Sequence, residues 1–170
     1  MEEQDTKQFK IFRAKDGRGL MQDGCMTVQP MTGAAREGMT KAMEAGLNGG
    51  EEISIVVNMP GFSIANVWFK HGYPLPLHSH SADCWYYIVA GSIKLGTEEL
   101  GPRDTFFIPS GVPYTYKPGP EGVELLEIRT ANTFDFVNFS KGEKFWEKAV
   151  ESVEQNREAW KTAERPKIDA

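Results

Sequence analysis

Residues 78–91 read HSHSADCWYYIVAG. Two histidines stand one residue apart, a cysteine follows four residues after the second, and aromatic and β-branched residues run on to a glycine. Such residues favour a strand, and strand side chains alternate between faces. His78 and His80 then point the same way, their backbones about 6–7 Å apart. If the alternation continues, Cys84, Tyr86 and Ile88 share that face, while Trp85, Tyr87 and Val89 take the other. One face carries two imidazoles, a thiol and a phenol, and rings at this spacing can converge on one ion.

Outward from this stretch, strand follows strand. EISIVVNM, SIANVWFK, SIKLGT, TFFIPS, VPYTYK and GVELLEIRT are short and rich in β-branched and aromatic residues. Turn signals separate them: PG at 60–61, Gly91, Gly96, GPRD at 101–104, PSG at 109–111 and PGPEG at 118–122. Short strands at near-regular spacing predict an all-β sandwich or barrel over 51–140. Residues 1–50 read as an N-terminal extension of short strands around glycine turns, with a helix in REGMTKAMEAGL that Gly49 and Gly50 end. From 141 to 170, Trp146, Ala149, Val150, Val153 and Trp160 recur at helical steps among charges. That pattern predicts an amphipathic helix of about five turns, packed on the barrel or on a second subunit of a homodimer.

Composition narrows the function classes. The net charge is −5 over 170 residues, too acidic to attract a phosphate backbone, so nucleic acid is not an expected partner. No apolar run approaches the roughly 20 residues of a membrane helix, and the start, MEEQDTKQFK, lacks the features of a signal peptide. The expectation is a cytoplasmic protein whose two cysteines, Cys25 and Cys84, are thiols.

The run GYPLPLHSHSADCWYYIVAG, followed by LGPRDTFFIPSGVPYTYK, resembles the two barrel motifs of the cupin superfamily. Gly72, His78, His80, Cys84 and Gly91 fall at the first motif's spacing, with Cys84 where the family has Glu. Asp104, Pro109, Gly111 and Tyr114 follow the second, with Arg103 in place of the turn glycine and Tyr114 in place of the last histidine. The likeness spans residues 60–130. It implies a double-stranded β-helix, the jelly-roll barrel, with a pocket inside. It also implies a divalent metal (iron, zinc, manganese or nickel) on a ligand set reduced here to His78, His80 and Cys84, which holds the ion weakly or not at all.

Thiolate and imidazole together suit zinc, iron or copper. An ion with open positions would act as a Lewis acid on a chelated small organic molecule, with Tyr114 or Tyr86 as proton donor. Aromatic residues in the motifs would line the cavity for a flat or hydrophobic substrate. Glu127 and Arg129 share a strand face and either pair at the surface or anchor a polar substrate group inside. Three functions follow: a metal-dependent enzyme, with oxygenase-like chemistry ahead of lyase, isomerase or cyclase chemistry; a barrel that binds a small ligand without a metal; or an oligomer subunit. His71 reads as a rim residue.

Overall fold

The computed structural model describes residues 8–168; residues 1–7 of the expected extension and 169–170 of the tail lie outside the described residues. The extension supplies β1 (Arg18–Gly19), α1 (Leu20–Asp23), β2 (Met26–Val28) and α2 (Gly33–Ala45). The barrel strands are β3 (Glu51–Met59), β4 (Phe62–Phe69), β5 (His78–Ser79), β6 (Cys84–Leu95), β7 (Glu98–Leu100), β8 (Thr105–Ile108), β9 (Lys117–Arg129) and β10 (Phe134–Asn138); α3 (Glu143–Trp160) closes the chain. One sheet runs β1-β3-β4-β9-β6-β7, with β8 also paired to β6; the other runs β2-β10-β5. Helices are few and the two sheets form the expected jelly roll.

The extension is tied into both sheets. β1 pairs antiparallel with β3, and β2 pairs parallel with β10, Met26 lying opposite Phe134. α2 stops earlier than its sequence suggests, at Gly46 rather than at Gly49 and Gly50. Gly46 takes φ 111°, and its N–H donates to the carbonyls of Ala42 and Met43. A glycine in the left-handed conformation ends the helix.

Three strand boundaries also move; PGPEG at 118–122, which reads as a turn, lies inside β9. Gly91 does not separate two strands; β6 runs through it, with register shifts against β9 on either side. Gly91 has φ 73°, and a Cβ there would stand 2.2 Å from the carbonyl oxygen of Gly122, so the bulge admits no side chain. VPYTYK contributes only a bridge, Tyr114 opposite His78, before β9 begins at Lys117. Pro113 has no N–H to give a ladder.

The turn GPRD keeps the shape a glycine would give it. Asp104 N donates to Gly101 O at 3.0 Å, and Arg103 takes φ 75°, alone among described non-glycine residues in having a positive φ. Pro at the second position and positive φ at the third make a type II turn.

The stripe of α3 faces its own domain. Trp146, Ala149, Val153 and Trp160 are buried. Trp160 Nε1 donates to His71 O at 2.8 Å and Ser152 Oγ to Gly72 O at 2.6 Å. Against α2, Trp146 fits where a Cβ on Gly38 would come within 2.2 Å of its ring. Among the described residues no helix is long and apolar enough to cross a membrane.

Candidate functional site

Strand alternation places the site between the sheets. On β6, Cys84, Tyr86 and Ile88 are buried, while Trp85 and Tyr87 are exposed. On β9 the register sets Arg129 opposite Cys84 and Glu127 opposite Tyr86, so this charged pair faces inward as well. From the other sheet come His78 and His80, 3% and 8% exposed, and the rings of Phe134 and Phe136. The His78–Tyr114 bridge, with backbone bonds of 3.0 and 2.8 Å, brings the phenol of Tyr114 into the same space.

The imidazoles behave as their shared face requires. Their ring centroids are 4.9 Å apart at 73°. Phe136 stacks on His78 at 4.8 Å, and Phe134 meets His80 edge-on at 5.3 Å. His78 Nδ1 lies 2.8 Å from Pro76 O, and His80 Nδ1 lies 2.5 Å from Asp135 O. A carbonyl only accepts, so Nδ1 carries the proton on both rings and Nε2 keeps its lone pair. Burial, and the neighbouring His80, push the His78 pKa down to about 4. Burial and Arg129 lower that of His80.

A directed hydrogen-bond chain ends on His78. Its Nε2 accepts from the Tyr114 hydroxyl at 3.0 Å. That hydroxyl, having given its proton away, accepts from Tyr86 in turn. Burial holds both phenols well above their usual pKa, so both stay protonated near neutrality. Phe106 stacks on Tyr86 at 4.4 Å, within 3° of parallel, and fixes the ring.

Arg129 is 2% exposed. Its Nη2 donates to Glu127 Oε2, and its guanidinium carbon lies 4.0 Å from the Phe134 ring centroid. Burial opposes the charge on Arg129, but Glu127 outweighs it and holds the group above its ordinary pKa.

The donor set can be compared with the divalent ion that the resemblance implies. Two unprotonated Nε2 atoms suit a metal, and carbonyl acceptors on Nδ1 are the usual orienting partners of ligand histidines. The third donor is not placed with them. Cys84 is a buried thiol pushed by desolvation up to about 12, and its Sγ donates to Trp85 O at 3.5 Å. Among the described residues no three His, Cys, Asp or Glu side chains group closely enough to hold an ion. Tyr114, in the place of the last motif histidine, gives its proton to His78 Nε2. The side chains as placed do not fit a three-ligand centre.

Of the residues singled out in the sequence, His78, His80, Tyr86 and Tyr114 come together, with Cys84 on the same β6 face. His71 is exposed, its Nδ1 3.0 Å from Gly119 O. Phe134 and Phe136 form one wall and were not singled out; the alternation in FDF at 134–136 was their only signal.

No protein-family model and no curated protein matches the chain. Solved structures do. The polyketide cyclase RemF from Streptomyces resistomycificus is 21% identical, with a TM-score of 0.51 over 61% of this chain and 84% of that one. An RmlC-like cupin from Shewanella frigidimarina is 22% identical, with a TM-score of 0.44 over 48% of this chain and 77% of its own. Oxalate decarboxylase of Bacillus subtilis, described with Mn(II) centres, is 21% identical, with a TM-score of 0.46 over 53% of this chain and 28% of its own. At these identities the likeness is one of fold.

Proposed function

We propose that this cupin-fold protein is an enzyme of proton transfer, acting on a small organic molecule within the barrel by isomerase, lyase or cyclase chemistry. The observation that carries the reading is the chain Tyr86–Tyr114–His78, whose direction is set by the Pro76 carbonyl. A proton leaving a substrate carbon would pass to the Tyr86 oxygen. The Tyr86 proton would move to Tyr114, and the Tyr114 proton to His78 Nε2. The C–H electron pair stays on the substrate as an enolate. The proton held on His78 Nε2 can return along the same chain, which suits reactions that take a proton and give it back. Relays of this kind contribute about 10²–10⁴-fold.

The test needs no known substrate. Incubating the protein with a panel of small ketones and keto acids in D₂O, with NMR detection, reports exchange at carbons next to the carbonyl. Faster exchange, lost in Tyr114→Phe, is expected. Exchange that is unchanged in Tyr114→Phe overturns the relay.

The second reading is an oxygenase with a divalent ion on His78 and His80, a pair that the Cys84 thiol as placed does not complete. One observation favours it: both imidazoles keep Nε2 unprotonated. Elemental analysis of untagged protein tests it. About one metal per chain, lost in His78→Ala/His80→Ala, together with oxygen uptake, would support it.

A further inference from the structure

We propose that Arg129 binds a carboxylate group of the substrate inside the barrel, which makes the substrate class a small organic acid; this rests on the small-molecule reading above. The guanidinium carries five N–H donors in a planar fork. Among the described residues its hydrogen-bond partner is Glu127, through Nη2. Nε is buried and has no partner. Buried polar groups are as a rule satisfied, and a two-residue ion pair with no further task would not be expected to leave a donor unmet.

The surroundings favour an anion at this fork. Phe134 lies against the guanidinium at 4.0 Å. Arg129 sits opposite Cys84 across the β6–β9 ladder, one inward position from the Tyr86–Glu127 pair. A carboxylate held there would set the rest of a small acid beside the hydroxyls of the relay. The histidines of the site are neutral, and Arg129 is the cation that neighbours them. Glu127 already neutralises part of its charge, so the incoming carboxylate and Glu127 compete for one guanidinium. That competition gives the proposal a signature a structural ion pair lacks.

Binding of benzoate and pyruvate to the full-length protein, measured by titration calorimetry and by thermal shift, tests it, with benzamide and benzylamine as neutral and cationic controls. We expect both carboxylates to bind and the controls not to. Arg129→Gln should weaken carboxylate binding at least 10-fold, and Arg129→Lys should retain part of it. Glu127→Gln, which keeps the shape and a hydrogen-bond acceptor, should tighten it several-fold. If Arg129→Gln fails to fold, the Glu127→Gln and Arg129→Lys arms still decide. Carboxylates that bind no better than benzamide, or a Glu127→Gln protein that binds them more weakly, overturn the subsite. Carboxylate binding without deuterium exchange leaves the subsite standing and removes the proton-transfer reading. Exchange confined to neutral ketones does the reverse.

Discussion

The Tyr86 hydroxyl donates to that of Tyr114, and so lies two proton transfers away from His78. Tyr86→Phe removes the first donor and leaves the Tyr114 oxygen without its incoming proton. A lost buried hydrogen bond costs about 1 kcal/mol of stability, visible as a small drop in the urea midpoint. Exchange activity should fall far more, by about 10²-fold. Equal losses in stability and activity would mean that the phenol only packs.

Glu127 and Arg129 form a buried pair, and removing one partner strands the other. Glu127→Leu should destabilise the fold by about 3–5 kcal/mol, measured by urea denaturation. The double replacement Glu127→Leu/Arg129→Met should recover most of that, because the stranded charge goes too. A double variant no more stable than Glu127→Leu would contradict the pairing.

His78 gives the fold a pH dependence with a definite sign. Burial, with His80 beside it, lowers its pKa from 6.5 to about 4 in the folded protein. The unfolded chain therefore binds more protons between those values. Stability is full above about pH 6.5 and falls as the pH drops through the window towards 4. The urea midpoint at pH 5 should lie below that at pH 7.5, and His78→Asn should flatten the difference. A midpoint that rises on acidification over this range would refute the buried neutral imidazole.

The two thiols should be silent in the native protein. Cys84 and Cys25 are 1% and 2% exposed, and burial pushes them up to about 12 and about 11. A disulfide-exchange reagent at pH 8 should modify neither until denaturant is added, since the thiolate is the reactive form. Rapid labelling of Cys84 in folded protein would show an opening of the barrel that its burial does not suggest.

Much of this was legible in the residues themselves. The alternation along CWYYIVAG fixed which side chains enter the barrel, because a strand has a period of two whatever it pairs with. The site's second half was not legible in the same way. Glu127 and Arg129 lie on β9, and their inward direction follows from the register that sets them opposite Tyr86 and Cys84 across the ladder. A sequence alone gives no register between distant strands, so a charged pair there reads equally well as surface. Arg103 shows the converse. Its sequence departs from the glycine of the motif, yet the turn keeps the positive φ at that residue, because Pro102 and the Asp104 N–H to Gly101 carbonyl bond determine the shape.

The parallel pairing of β2 with β10 orders events in time. Met26 meets Phe134, a partner roughly a hundred residues further along the chain. Closing so long a loop comes at an entropic cost that must be met before the contact repays it. On the ribosome β2 waits for β10, the last strand of the described residues to emerge, while β1 can pair with β3 much sooner.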